Sequence, residues 1–386
     1  MMESMLNEEL RALRMMVREF ANDVIAPVIG QYYEDCAFPY DIVRQMGDLG
    51  LFGLPFPEEY GGSGGDYFAL CLAIEEIARV DSSVAITLEA AVSLGAMPIF
   101  KFGTEQQKRE WLPDLCSGRM LGAFGLTEPD AGSDASGTRT TARLMNGEWV
   151  INGSKAFITN SGTYLTGFVT VAAVTGVDDA GKKQISTIII PSATAGLSVA
   201  PKYSKVGWNA SDTHELAFTD VRVPAANLLG VEGKGYAQFL RILDEGRIAI
   251  SALAVGLAQG CLDQSLTYAN TRVAFGSTIG TNQAIAFKLA DMEVRAHTAR
   301  LAYYEAASRM LRGETFKHEA SIAKLYSSEI AVTNAREATQ IFGGYGFMNE
   351  YPVARMWRDS KILEVGEGTS EVQRMLIARN LGVQGA

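Results

Sequence analysis

Apolar positions recur at helical spacing from the start of the chain. Leu6, Leu10, Leu13, Val17, Phe20 and Val24 share one face, and Pro27 ends the run. The same spacing predicts helices over 40–49, 67–80, 83–100 and 105–117, with Asp66, Ser82 and Thr104 as N-caps. A loop rich in glycine and proline, 55–65, lies among them. At Gly122 the pattern changes to runs of Thr, Val, Ile, Gly and Asn. Strands are predicted at 137–144 and 148–151, joined by Asn146-Gly147, whose tolerance of positive φ makes it the strongest short hairpin signal. Further strands are predicted at 168–174 and 185–190, around a polar turn, and at 213–223. Beyond Gly230 helical spacing resumes in three long segments, 235–272, 283–311 and 316–342, and a last helix covers 371–380. The chain thus reads as an α+β protein: an N-terminal helical domain (1–121), a middle β-barrel or β-sandwich domain (122–231) and a C-terminal bundle of long helices (232–386).

Composition narrows the function. A chain of 386 residues suits two or three domains at roughly 150 residues each. With 47% hydrophobic and 20% charged residues it is neither disordered nor fibrous. A net charge of −10 argues against a nucleic-acid binder, which carries a basic face. Cys36, Cys71, Cys116 and Cys261 are far apart, and His214, His297 and His318 form no HExxH. Neither set has metal-ligand spacing, so no metal is expected, and dispersed thiols suit a reducing compartment. The N-terminal stretch carries Glu3, Glu8, Glu9, Glu19 and Asp23, which targeting peptides avoid. The longest nearly apolar run, 248–262, is shorter than the roughly 20 residues of a membrane span. With the Met-Met start, a cytoplasmic bacterial protein is the expectation.

Several motifs carry chemistry. No Gly-x-Gly-x-x-Gly follows a strand, and no P-loop appears. Gly61-Gly62-Ser63-Gly64-Gly65 matches the nucleophile-elbow pattern but lacks the strand before it, so it reads as a plain turn. The segment Leu126-Thr127-Glu128-Pro129-Asp130-Ala131-Gly132-Ser133-Asp134 lies at a domain junction, where ligands often bind; an ordinary turn is the alternative. Phe157-Ile158-Thr159-Asn160 ends a strand with an aromatic beside a hydroxyl, fit to stack on a planar cofactor or to pack in a core. Gln340-Ile341-Phe342-Gly343-Gly344 ends a long helix, with Gly343 or Gly344 as an αL cap. In Gly366-Glu367-Gly368-Thr369-Ser370-Glu371-Val372-Gln373, Ser370 and Gln373 form a capping box, which leaves Glu367 in a loop just before a helix. Glycines on both sides let its carboxylate approach a ligand, as proton abstraction next to a carbonyl requires; a solvated acid near a helix dipole is the alternative.

Taken in order, these segments resemble the acyl-CoA dehydrogenase family over essentially the whole chain. The set also includes Asn152-Gly153-Ser154-Lys155, Leu243-Asp244-Glu245-Gly246-Arg247, Arg272 with Phe275-Gly276, Gln283, Tyr351-Pro352 and Arg358-Asp359. The resemblance implies FAD between the β domain and the C-terminal helices, and an acyl-CoA thioester against its flavin. It implies α,β-dehydrogenation to a trans-2-enoyl-CoA, as in β-oxidation of fatty acids, with electrons passing to an electron-transfer flavoprotein. Glu367 matches the catalytic base, and its N–H would help hold the thioester carbonyl. Phe124, Leu126, Thr127, Gly132, Ser133, Phe157, Ile158 and Thr159 match residues around the flavin. Arg272, Phe275, Gln283, Gln340, Ile341, Gly343 and Gly344 match residues holding the adenine dinucleotide end, partly across a subunit boundary, and Thr369, Ser370 and Glu371 also fall at cofactor positions. Ser133, Asp244, Arg247 and Gly368 match substrate contacts. A homotetramer, or at least a homodimer, is implied.

Three departures matter. Some relatives carry the base where this chain has Gly246; Glu245 is one residue off and would point about 100° away around a helix. Phe157 stands where tryptophan is common. Gly366 stands where many straight-chain members have tyrosine, which leaves room for a branched acyl chain or for another side chain. An acyl-CoA oxidase, or an FAD-containing binding or repair-associated relative, is the alternative reading.

Overall fold

The structure, a computed structural model, describes residues 6–383. It opens with α1 (Glu8–Phe20), capped by the Asn7 side chain, which accepts from the Leu10 N–H at 2.8 Å. The apolar face running to Val24 is one rod, but its last part, Ala21–Ile25, is a π-helical turn. Then come α2 (Ile29–Glu34), which the pattern leaves unassigned, α3 (Tyr40–Asp48) and α4 (Tyr67–Ala78). Next, α5 (Ser82–Glu89), a π-helical turn (Ala90–Ala96) and α6 (Met97–Phe102) form a second continuous rod, followed by α7 (Glu105–Cys116). Asp66 caps α4 and Thr104 forms a capping box with Gln107 on α7. Ser82 caps nothing: the extended residue before α5 is Asp81, which accepts from the Val84 N–H at 3.0 Å. The segment Ser82–Phe102, rather than 248–262, is long and apolar enough to cross a membrane; it is almost wholly buried inside the protein.

The middle of the chain forms β1 (Leu121–Gly125), β2 (Thr141–Met145), β3 (Glu148–Thr159), β4 (Thr166–Val177), β5 (Lys183–Pro191), β6 (Leu197–Val199), β7 (Thr213–Pro224) and β8 (Leu228–Leu229). They make one sheet in the order β6-β7-β3-β2-β4-β5-β8, with β1 parallel to β4. Asn146 and Gly147 both take positive φ, 52° and 85°, as a tight two-residue hairpin demands. The inward faces close over Trp149, Ile151, Val169, Val171, Ile188, Ile190 and Phe218. Short β1 carries two glycines in five residues, too weak a strand signal to read from pattern.

The C-terminal part holds α8 (Gly235–Thr271), a small hairpin of β9 (Val273–Ala274) and β10 (Ser277–Thr278), then α9 (Gln283–Leu311), α10 (Lys317–Phe342), α11 (Pro352–Ser360) and α12 (Ser370–Asn380). The run 248–258 of α8 is buried without interruption, and one apolar core joins the helices of both ends of the chain. The small residues that break this run have a packing reason. A Cβ on Gly256 or Gly260 would lie 2.2 or 2.1 Å from a carbonyl oxygen on α4 or at its C-terminal end, so α8 crosses there at backbone contact. The cap of α12 is Thr369, not Ser370: Thr369 is extended and accepts from the Val372 N–H at 3.2 Å. Gln373 reaches back to the Gly368 carbonyl instead of to a cap N–H. Gly343 ends α10 with φ 60° and ψ −133°, outside the αL region expected of a cap.

Candidate active site

Glu367 sits on a short loop between a 3₁₀ turn (Lys361–Glu364) and α12. It takes φ 53°, and Gly368 takes φ 94°, so the loop turns sharply through two left-handed residues. A left-handed glutamate is strained by about 1–3 kcal/mol and persists only where its surroundings hold it. Here Lys324 of α10, wholly buried, donates to the Leu363 and Gly368 carbonyls at 2.8 and 2.7 Å. Gln373 donates to the same Gly368 oxygen at 3.0 Å. Burial pulls the Lys324 ammonium down to about 8, partly countered by Glu367 nearby.

The Glu367 side chain reaches across α8 at Gly246. A Cβ added to Gly246 would lie 2.6 Å from Glu367 Oε2, so the missing side chain makes the space that the carboxylate occupies. Glu245 points elsewhere, into a pair with Lys101. A side chain at position 246 and the Glu367 carboxylate therefore compete for one volume, and this chain fills it from 367. Oε2 is shut off from solvent and receives no hydrogen bond from any N–H or hydroxyl. Burial pushes the Glu367 carboxyl up to about 7, against the lowering effects of Glu89, Lys324 and Arg247. On the same stretch of α8, buried Arg247 pairs with Asp244 at 2.6 Å, and Lys317 reaches Asp244 at 2.7 Å.

The junction motif and the end of β3 are pinned together. Lys155 and Glu128, both buried, pair at 2.8 Å; Lys155 also donates to the Leu126 carbonyl, and Glu128 accepts from the Arg139 and Thr140 N–H groups. The Ala156 N–H donates to the Thr127 carbonyl at 2.9 Å, which sets Thr127 beside the 156–159 segment. Motif reading passed over Lys155 and Glu128, although both stand inside the quoted motifs. Phe157 lies in a bulge of β3, at φ 60°, with 65% of its surface exposed and its ring 5.3 Å from that of Tyr203. A phenylalanine that is both strained and exposed marks a ligand surface better than a core position. Thr127 and Thr159 are half-buried, and Gly132 and Ser133 are exposed. Phe124 packs on Phe239, and Leu126 and Ile158 are buried, so these three contribute backing to the shelf. At the end of β3, Asn160 Nδ2 donates to the Thr87 carbonyl at 3.1 Å and so ties this shelf to α5. A planar ring system with polar edges fits here: an uncovered aromatic, hydroxyls to either side, and the buried Asn160 Oδ1 without a donor.

A second group lies at the far end of the long helices. Arg272, Phe275 and Gln283 are exposed at the corner between α8 and α9, and Gln340, Gly343 and Gly344 are exposed at the end of α10. The Arg272 guanidinium sits 5.6 Å above the Tyr345 ring, and Tyr268 stacks on Phe342 at 4.1 Å, which brings the two segments side by side. Ile341 is a core residue, so only its backbone is free to meet a ligand. Among the described residues, no hydrogen bond, ion pair or ring contact links this group to the Phe157 shelf. Thr369 serves as a cap, Ser370 Oγ is buried without a partner, and Glu371 is exposed.

The comparisons agree with this organisation. Family models for the N-terminal, middle and C-terminal domains of acyl-CoA dehydrogenase match residues 7–119, 123–221 and 233–382. A Bacillus subtilis protein named as a probable acyl-CoA dehydrogenase is 50% identical over 97% of this chain and 98% of its own. The structure of butyryl-CoA dehydrogenase from Megasphaera elsdenii has a TM-score of 0.94 at 42% identity, covering 97% of this chain and 98% of that one. A chain in a structure of the electron transferring flavoprotein of Acidaminococcus fermentans has a TM-score of 0.93 at 40% identity, over 97% of this chain and 98% of that one. With all three domain types matched in order and half of its residues shared with a full-length relative, the chain belongs to the acyl-CoA dehydrogenase family.

Proposed function

We propose that this protein removes the α-proton and β-hydride of an acyl-CoA thioester, giving a trans-2-enoyl-CoA, with Glu367 as base. One observation carries the assignment of the base: a buried carboxyl lacking any N–H or hydroxyl donor at Oε2, held by a strained loop over a helix glycine and raised to about 7 by burial. A base with that affinity is ionised in about half the molecules at neutral pH and is dry enough to be reactive. Lys324 fixes the backbone on both sides of Glu367, and so fixes the direction of the carboxylate. The Glu367 N–H is the donor for the thioester carbonyl, which makes the α-proton more acidic as negative charge develops on oxygen. Asp244, Arg247, Ser133 and Gly368 are assigned to the substrate.

FAD, which the family uses, would supply the hydride acceptor when bound. Thr127, Ser133, Phe157 and Thr159 would hold its ring end, with Phe124, Leu126, Gly132 and Ile158 as the wall behind. Arg272, Phe275, Gln283 and 340–344 would hold the other end, from a neighbouring subunit. A homotetramer is supported by the exposed apolar residues Phe287, Val294 and Leu301, which repeat every seventh position along α9. Electron-transfer flavoprotein is the proposed acceptor, and the cytoplasm the proposed location. Short or branched acyl chains are the proposed substrates: glycine at 366 omits a side chain where a Cβ would make only ordinary contacts, the nearest at 3.4 Å.

The test is anaerobic bleaching of the FAD-loaded enzyme by short, medium, long and branched acyl-CoA thioesters, with Glu367→Gln alongside. Rapid bleaching by one class, lost in the variant, supports both reaction and base. A yellow protein that no thioester bleaches would sink the assignment.

A further inference from the structure

Glu89 lies at the point where α5 gives way to the π-helical turn, and its side chain is wholly buried. Neither of its oxygens receives a hydrogen bond from an N–H, and the one hydroxyl that bears on it is that of Ser93. What it faces is the Glu367 carboxyl, with which it interacts directly and whose own Oε2 is equally sealed and equally without a donor. Two carboxylates cannot share such a site as bare anions, and one proton between them satisfies both. A π-helical turn widens a helix by one residue and is found mostly at functional sites; here it follows directly on the residue that meets the base.

Building on the assignment of Glu367 as base, we propose that Glu89 is its positioning residue: Glu89 stays protonated and donates its hydroxyl hydrogen to the Glu367 carboxylate. That bond holds the carboxylate over Gly246 and keeps it ionised in a pocket that otherwise disfavours charge. When the α C–H bond breaks, its proton goes to Glu367, and the pair passes from one proton and a single negative charge to two protons and none. The electron pair of that bond forms the new double bond as the β-hydride leaves to the acceptor. The reaction thus discharges a buried anion, and Glu89 keeps its proton throughout.

The surroundings agree. Burial raises Glu89 well above the ordinary carboxylate range, and the charge of Glu367 raises it further. Tyr67 and Cys71 of α4 face Glu89 and are both held neutral by burial. Ser93 of the π-helical turn accepts from the Tyr67 hydroxyl at 2.9 Å, and its own hydroxyl lowers Glu89 by less than burial and the charge of Glu367 raise it. On the other side, Arg247 of α8 and Lys324 of α10 act on Glu367. Lys324 titrates near 8, so it shapes the alkaline side of any pH profile and leaves the acid side to the pair.

The experiment compares wild type, Glu89→Leu, Glu89→Gln and Glu367→Gln as FAD-loaded enzymes, by bleaching rate against pH and by infrared spectroscopy of the carboxyl region. Glu89→Leu removes the donor, so the acid limb moves up by about one pH unit and the rate near neutrality falls about fivefold, recovering near pH 9. Glu89→Gln keeps a weaker donor and shifts the limb by less than half as much. The carbonyl stretch of a protonated carboxylic acid that persists in wild type near pH 10, where Glu367 is ionised, disappears in both Glu89 variants. An acid limb that stays in place or moves down, a rate loss equal at every pH, or an unchanged infrared band overturns the role of Glu89. If Glu89→Leu does not hold flavin, Glu89→Gln decides alone on its band and its limb. Failure of the base reading looks different: Glu367→Gln would then still bleach, whatever the Glu89 variants do.

Discussion

Two pairs of glutamates carry oxygens sealed from solvent, and they are treated in opposite ways. Glu75 and Glu76, on α4, are 2% and 1% exposed. Arg300 reaches Glu75 at 2.8 Å, and Tyr303 also donates to it. Arg14 and Arg18 reach Glu76 at 2.6 and 2.9 Å. Burial pushes the Glu76 carboxyl up, but hydrogen bonds and charges from Arg18 and Arg14 more than offset this, and it ends below its ordinary range. Glu89 and Glu367 have no arginine donating to their sealed oxygens, and both are raised. Burial is common to the two sets; compensation is not. A compensated carboxylate locks α1 and α9 onto α4, whereas an uncompensated one is free to take a proton.

The largest effect is expected where the uncompensated set is broken at its reactive member. Glu367→Gln should slow thioester-dependent bleaching by about 10²–10⁴-fold, the usual contribution of a positioned base, while leaving flavin content unchanged. In wild type the rate should fall about tenfold per pH unit well below pH 7, because only the ionised form accepts a proton. A stopped-flow series across pH would read both, and a profile flat to pH 5 would contradict a base near 7.

The compensated set should respond in stability instead. Glu76→Ala leaves Arg14 and Arg18 facing a void, which should cost about 3–5 kcal/mol and lower the unfolding temperature by several degrees. Activity per folded, flavin-loaded molecule should stay near wild type. The sign of pH dependence also separates the sets. Glu76, held low when folded, adds stability that is present above its unfolded pKa and is lost as pH falls. Glu367, held high, adds stability that is present below its unfolded pKa and is lost as pH rises through about 7. Denaturant titrations of Glu76→Gln and Glu367→Gln should therefore remove opposite slopes.

Much of this contrast was visible in the chain, and the missing part is instructive. The Asn146-Gly147 hairpin, the change of pattern near Gly122 and the three long helices after Gly230 rest on local chemistry, which a linear sequence carries. The position of Glu367 before a helix was also legible from its glycines and the polar residues after them. Two caps were read one residue late, at Ser82 and Ser370, because a cap is set by which residue is extended, and Asp81 and Thr369 can cap as well. Glu89 was not legible as a partner of Glu367, although it is a lone acid in an otherwise apolar helical stretch. Its role depends on a contact with the far end of the chain and on the Gly246 gap between them. Lys324 was missed for the same reason: a lysine in a polar-looking helix gives no sign that its ammonium is buried under the Glu367 loop.

Filling the gap should perturb the uncompensated set without removing either carboxyl. Gly246→Ala places a methyl 2.6 Å from Glu367 Oε2, so the carboxylate must move aside. Overpacking of this kind costs about 1–3 kcal/mol, and here the cost falls on the position of the base, so bleaching should slow about ten- to a hundredfold. Flavin content and the unfolding temperature measured in parallel should change little, since what must give way is the far end of one side chain. Equal losses in stability and rate would show that the gap is ordinary packing.

The smallest effect is expected at the cap of α12. Thr369 satisfies the Val372 N–H at 3.2 Å, and its loss in Thr369→Ala should cost about 1 kcal/mol. The same residue directly follows the pair Glu367-Gly368, whose backbone Lys324 and Gln373 also hold. If the loop is fixed mainly by Lys324, Thr369→Ala should lower the unfolding temperature slightly and leave the bleaching rate within about twofold of wild type. Thr369→Ser, which keeps the hydroxyl, should match wild type in both. A rate loss beyond tenfold in Thr369→Ala, restored by Thr369→Ser, would mean that the cap rather than the buried lysine sets the direction of the base. The uncompensated carboxyls would then owe their geometry to the start of α12 as well as to the floor beneath them.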